Sequence, residues 1–297
     1  MNPNNIKFTG VMPALITPLT ERETVNVPVL HQLINGLLDQ GASGFYIGGA
    51  TGEGIALSRD VREELAAESV KAIAGRKPAI VHVASAVYGE AIALAKQAEA
   101  AGADCISAIP PLFYGYDENE VFNYYKTLAE AVSIPLLVYY NPAAGFNMRA
   151  DFAARLFTID NVTAIKWTSS DYYGLMRLKD LTHGEMNIIN GPDEMLLMGL
   201  NAGADGGIGS TYNVILPLIK GVYDSFAAGD IAAAQDFQNR ANRIINVIIK
   251  HKVIPAVKVM LEGQGFAVGN SIFPMRRYDD AEKQAIYADL REVGFVL

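Results

Sequence analysis

Eight short apolar runs, separated by stretches with helical spacing, constrain this chain more than any other feature. They are Gly10–Leu15, Gly44–Ile47, Ala79–Val83, Cys105–Ile109, Pro135–Tyr139, Thr163–Trp167, Met186–Asn190 and Gly206–Gly209. Continuous apolar runs of this length suit strands buried on both faces of a parallel sheet, where alternation with polar residues is lost. The segments between them read as amphipathic helices. Val27–Gln40 carries Leu30, Leu33, Ile34, Leu37 and Leu38 on one helical face, and Ser58–Ala74, Tyr88–Ala101 and Glu118–Val132 behave similarly. Three helices end in Gly-Ala punctuation, at Gly41-Ala42, Gly102-Ala103 and Gly203-Ala204. A glycine there accepts the left-handed conformation that closes a helix.

Eight strand–helix alternations predict an α/β fold of the (β/α)8 TIM-barrel type. An open doubly wound sheet is the competing arrangement, but no Gly-x-Gly-x-x-Gly follows the first run. Beyond Tyr212 the pattern is helical only. Tyr212–Ala228 reads as the eighth barrel helix, followed by Ile231–Lys250, Ile254–Gly263 and Asp279–Val293. The expected organisation is a barrel over residues 1–228 and a C-terminal helical appendage over 229–297.

Composition narrows the function. Half of the 297 residues are hydrophobic, enough for a large core. A net charge of -8 argues against nucleic acid or an anionic membrane as partner. The single cysteine, Cys105, permits no intrachain disulfide and fits a reducing cytoplasm. Met1–Lys7 lacks the charged and apolar regions of a signal peptide, and no apolar run approaches the roughly 20 residues that span a bilayer. His31, His82, His183 and His251 are scattered, so no metal is expected.

In a barrel, chemistry collects where strands end. The sixth run contains Ala164-Ile165-Lys166-Trp167-Thr168. Residues two apart on a strand share a face, so Lys166 points with Ala164 and Thr168, opposite Ile165 and Trp167. An ammonium resists leaving water. A desolvated lysine can be held neutral, and a neutral amine attacks a ketone to give a Schiff base. A strand-end lysine can equally snorkel its head to water. The second run ends in Gly48-Gly49-Ala50-Thr51-Gly52-Glu53-Gly54, whose glycines let backbone N–H groups approach an anion such as a carboxylate. At the end of the fifth run, Tyr139 shares a face with Leu137 and can relay a proton, while Tyr140 faces away. The seventh run leads into Gly191-Pro192-Asp193-Glu194 and the eighth into Ser210-Thr211-Tyr212-Asn213. Asp193 and Ser210 suit capping of the helices that follow. Together these ends offer carboxylates, hydroxyls and free backbone groups, an inventory suited to a polyhydroxylated ligand and not to a nucleotide.

These blocks, in this order, resemble the N-acetylneuraminate lyase (sialic acid aldolase) branch of the dihydrodipicolinate synthase family of Schiff-base barrels. The resemblance covers essentially the whole chain. Its most discriminating stretches are Asn190–Glu194 and Gly203–Asn213. It implies a class I aldolase that reversibly cleaves N-acetylneuraminate to pyruvate and N-acetylmannosamine. Lys166 would form the imine, and Tyr139 would relay the proton of the hydroxyl that becomes an aldehyde. Ala50 and Thr51 would hold the carboxylate. Thr168, Gly191, Asp193, Glu194 and Ser210 would bind the sugar chain. The family pattern also implies a cytoplasmic homotetramer without metal or other cofactor.

Two positions depart from that pattern. Ala50 stands where the family carries Ser or Thr. Phe113 stands where a second tyrosine reaches in from a neighbouring subunit, with Tyr114 one residue on as an alternative relay. The proton from Tyr139 would then travel through the substrate carboxylate, a water or a re-aimed Tyr114. Other readings are a different 2-keto sugar-acid aldolase or a catalytically silent sugar-acid-binding barrel. A dihydrodipicolinate synthase proper is disfavoured, because Ala144 occupies the place of the arginine that holds its second carboxylate.

Overall fold

A computed structural model describes residues 7–297, so Met1–Ile6, and the signal-peptide reading that rests on them, lie outside the described residues. All eight runs form strands: β1 Gly10–Pro13, β2 Phe45–Ile47, β3 Ala79–His82, β4 Cys105–Ala108, β5 Leu136–Tyr140, β6 Val162–Trp167, β7 Asn187–Asn190 and β8 Gly206–Gly209. Every ladder is parallel, in the order β1-β8-β7-β6-β5-β4-β3-β2. The ring closes where Ala14 bridges Tyr46 and the Leu15 N–H donates to the Tyr46 carbonyl at 2.8 Å. The sheet is therefore a (β/α)8 barrel.

The helices between strands are α1 Val27–Asp39, α2 Arg59–Ile73, α3 Tyr88–Ala100, α4 Glu118–Glu130, α5 Ala150–Leu156, α6 Tyr172–Leu181, α7 Leu196–Asn201 and α8 Tyr212–Ala227. The C-terminal helical segment comprises α9 Ile231–Lys250, α10 Val253–Gly263 and α11 Asp280–Glu292. The glycine punctuation behaves as the sequence predicts. Gly41, Gly102 and Gly203 have φ of +91°, +91° and +99°. The alanine after each donates back five positions, to Leu37, Ala98 and Gly199 carbonyls at 2.9–3.0 Å.

Strand register sets the interior. Tyr139 lies opposite Lys166, and Tyr140 opposite Trp167. Alternation sends the first pair into the barrel and the second outward. There the Tyr140 and Trp167 rings pack 4.6 Å apart, and the indole meets Gly174 of α6. Among the described residues no helix is long and apolar enough to cross a membrane.

Candidate active site

Lys166 is 5% exposed, at the mouth end of β6. Its Nζ lies 4.3 Å from the centre of the Tyr139 ring and 4.8 Å from that of Tyr46. These rings meet edge to face at 5.8 Å. The contacts of this nitrogen are thus aromatic ring faces, whose quadrupole attracts a cation. The Tyr46 hydroxyl is paired with Ser107 Oγ at 2.9 Å, and burial raises its pKa well above the ordinary tyrosine value. The ring of His82 packs 6.2 Å from both tyrosines. Burial, helped by the charges of Arg62 and Lys166, pushes its pKa down to about 3, so the imidazole is neutral. Among the described residues the Tyr139 hydroxyl has no hydrogen-bonding partner, which leaves it available to a ligand.

The glycine-rich loop continues from β2, the strand that carries Tyr46. Gly54 passes so close to Gly48 that a Cβ on it would lie 1.8 Å from the Gly48 carbonyl oxygen. No larger residue permits that fold of the loop. The Gly54 N–H donates to Gly49 O, the Glu53 N–H to Ala50 O, and Thr17 Oγ1 to Gly52 O at 2.6 Å. The N–H groups of Ala50 and Thr51 find no protein acceptor among the described residues. Thr51 Oγ1 reaches across the mouth to Ser210 Oγ at 2.7 Å. Two open N–H groups and a hydroxyl suit a carboxylate.

On the other side the strand ends open into a cleft of about 480 Å³, lined by Thr168, Gly191, Asp193, Glu194 and Ser210 among others. Five of the residues predicted to bind sugar thus share one cavity. Gly191 lies against Thr168, where a Cβ would sit 2.0 Å from Thr168 Oγ1. That hydroxyl is buried and has no protein partner. The opposite wall is apolar, from Ile245, Ile249 and Val253 of α9 and α10.

The capping roles expected of Asp193 and Ser210 are not what the structure shows. Residues 193–195 form a 3-10 turn, and α7 has no side-chain cap. Asp193 Oδ2 instead accepts both the N–H and the hydroxyl of Thr211, each at 2.7 Å, which joins the β7 and β8 loops. Ser210 spends its hydroxyl on Thr51. Asp193 is an acceptor near a helix start, as the sequence suggests, but its donors belong to the next loop. Burial pushes the Asp193 carboxyl up to about 6, against the two Thr211 donors and the Lys166 charge, which hold it down. From outside, Gln238 of α9 donates to the Asp193 carbonyl and Asn242 to that of Glu194.

Tyr114 is not brought into this site within its own chain. It is 70% exposed, with its ring on Phe113 at 5.1 Å and on Tyr116 at 6.1 Å. Phe113 is 93% exposed with φ of +79°. Ala50 presents an exposed methyl where a hydroxyl was the family expectation. Sequence reasoning missed Tyr46, His82 and Lys258. Tyr46 and His82 sit inside apolar runs, and their inward facing follows from alternation. Lys258 offered a signal too, as a lone charge inside the apolar helix Val253–Gly263.

Comparison with known proteins agrees with this geometry. An N-acetylneuraminate lyase from Rhizobium meliloti is 35% identical over 281 residues, covering 95% of this chain and 94% of its own length. A second, from Citrobacter koseri, is 36% identical over 257 residues and 85% of each chain. The solved N-acetylneuraminate lyase of Mycoplasma synoviae superposes with a TM-score of 0.90 at 31% identity, over 98% of this chain and 100% of that one. Residues 7–293 match the dihydrodipicolinate synthetase family as a whole. With a barrel of the predicted topology, a lysine buried at the mouth of its sixth strand and that match over nearly the full length, the chain belongs to the dihydrodipicolinate synthetase family.

Proposed function

We propose that this protein is a Schiff-base aldolase that cleaves N-acetylneuraminate reversibly to pyruvate and N-acetylmannosamine. The observation that carries the reading is Lys166, whose buried Nζ lies over the Tyr139 and Tyr46 rings, with the open N–H groups of Ala50 and Thr51 in the loop that continues from the strand of Tyr46. Lys166 Nζ adds to the ketone carbon of the substrate, water leaves, and a protonated imine forms. The Tyr139 oxygen takes the proton of the C4 hydroxyl as the C3–C4 bond breaks. The bonding pair moves onto the imine nitrogen as an enamine, and the sugar aldehyde departs. Protonation of the enamine at C3 and hydrolysis release pyruvate and restore the amine.

Ala50 and Thr51 hold the carboxylate. Thr168, Gly191, Asp193, Glu194 and Ser210 take the hydroxylated chain, within a cleft large enough for a sugar acid. With no hydroxyl at Ala50, the proton leaves Tyr139 through the substrate carboxylate or a water. No other cofactor takes part, because the imine nitrogen is itself the electron sink. The protein works in the cytoplasm as a homotetramer, with Tyr114 of the exposed loop available to a neighbouring subunit.

The test is pyruvate release from N-acetylneuraminate and from a panel of other 2-keto sugar acids, with Lys166→Ala as control. Release from N-acetylneuraminate that the substitution abolishes is the expected result. Undiminished turnover by the variant would overturn the Schiff base. Release only from another sugar acid would keep the imine chemistry and change the substrate. Failure with every substrate, together with failure of borohydride to fix pyruvate on Lys166, would favour a silent binding barrel.

A further inference from the structure

Glu53 and Lys258 form an ion pair that the reaction above does not use. Glu53 belongs to the glycine-rich loop, two residues from Thr51. Lys258 belongs to α10. Glu53 Oε1 lies 2.6 Å from Lys258 Nζ, and the side chains are 0% and 3% exposed. Glu53 Oε2 accepts the Ile272 N–H at 2.6 Å, and Lys258 Nζ also donates to the Asn270 carbonyl at 2.9 Å. The Glu53 carboxylate is thus enclosed and held from the C-terminal segment, by the Lys258 charge at Oε1 and the Ile272 N–H at Oε2.

The backbone gives this pair a consequence. Glu53 has φ of +60°, a conformation that residues with a Cβ avoid. Its N–H closes the turn to the Ala50 carbonyl at 3.0 Å, and its carbonyl accepts the Ala56 N–H. A strained turn persists only where its surroundings over-determine it. Here the Glu53 carboxylate is the fixed point, held by α10 and by residues 270–272. The Ala50 and Thr51 N–H groups are aimed by that turn. A loop that relaxes at Glu53 turns them away, while Lys166, Tyr139 and Tyr46 stay on their strands.

We propose that Glu53 and Lys258 are positioning residues through which the C-terminal segment holds the carboxylate-binding loop in its binding shape. The proposal rests on the aldolase reading, in which that loop grips the substrate carboxylate. It predicts a specific kinetic signature. Pyruvate and the full sugar acid bring the same carboxylate, so loosening the pair weakens both equally. Loss of a sugar-chain contact would weaken only the longer one.

The experiment uses Glu53→Gln, Lys258→Met, the double variant and Lys258→Arg in the full chain. Removing one partner strands a buried charge and can prevent folding, whereas the double variant leaves none. In the double variant KM for pyruvate in the synthesis direction and KM for N-acetylneuraminate should rise together by about tenfold, the equivalent of one good hydrogen bond, with kcat within about twofold. Lys258→Arg should recover most of the loss. The pyruvate concentration that half-saturates borohydride trapping on Lys166 should shift by the same factor. A folded double variant with unchanged KM and unchanged trapping overturns the positioning role and leaves the aldolase intact. An equal fall in kcat with no rise in KM would also overturn it, as general loosening. Absence of trapping in the parent protein would instead remove the aldolase reading on which the proposal stands.

Discussion

The two halves of the barrel mouth are built on opposite principles. The half around Lys166 is closed and aromatic: Lys166, Tyr139, Tyr46, His82 and Thr51 are all buried, and the nearest partners of the amine are ring faces. The half around Asp193 is an open cleft lined by the hydroxyls of Thr168 and Ser210, the carboxyls of Asp193 and Glu194, and the apolar Ile245, Ile249 and Val253. Charge that appears during bond breaking is handled best where water is excluded and the dipoles are already fixed. Recognition of a flexible hydroxylated chain tolerates water, since a bridging water is nearly as good as a direct contact. The Thr51–Ser210 hydrogen bond and the Lys166–Asp193 field link the two halves. Rate and affinity should therefore separate between them.

The largest test of that separation within the closed half is Tyr139→Phe. It removes only the hydroxyl and keeps the ring that stacks against Tyr46 and Lys166. The expected loss in kcat is roughly 10²–10⁴, typical of a general acid–base group, with KM little changed. Steady-state kinetics on N-acetylneuraminate checks it. An unchanged kcat would mean that the proton leaves by another group and that the closed half owes its rate to Lys166 alone.

In the open half, Asp193→Ala should raise KM for N-acetylneuraminate by about ten- to a hundredfold, the range of a lost hydrogen bond to a charged group. A truncated 2-keto acid that cannot reach Asp193 should bind as before. Equal effects on the two would place Asp193 in the chemistry and dissolve the contrast between the halves.

How much of this contrast was legible depends on the range of the interaction. The closed half could be read from Ala164-Ile165-Lys166-Trp167, because strand alternation is local and fixes which way Lys166 points. The same rule set Tyr139 and Tyr140 on opposite faces. All eight strands were visible because continuous apolar runs mark burial on both faces. The short helices Ala150–Leu156 and Leu196–Asn201 were less distinct, being too brief to develop a clear apolar stripe. Partners were the part that sequence could not supply. Asp193 looked like a cap for its own helix and instead binds Thr211, because the β7 and β8 loops meet only once the barrel closes. Glu53 and Lys258 carry no local sign of each other, and their contact exists only after α10 folds back over the mouth.

The smallest expected effect concerns stability, and it tests whether the open half is as dry at Asp193 as its burial implies. The carboxyl is pushed up to about 6 in the folded protein from an ordinary value of 3.8, chiefly by burial. A raised folded pKa means that the folded chain holds the proton more tightly than the unfolded one. Relative to a non-titrating residue, Asp193 therefore stabilises most below its unfolded value and loses that contribution as pH rises through about 6. Asp193→Asn keeps an oxygen for both Thr211 donors and cannot ionise. Its stability relative to the parent should climb between pH 4 and pH 8, with a ceiling of ~3 kcal/mol for a shift of this size. Thermal midpoints of the two proteins, compared at several pH values, read this as a gap widening by a few degrees per kcal/mol. A gap that stays constant with pH would mean that water reaches the carboxylate and solvates its charge. The division between a dry chemical half and a wet recognition half would then run between Lys166 and Asp193, and Thr211 rather than burial would set the state of that carboxyl.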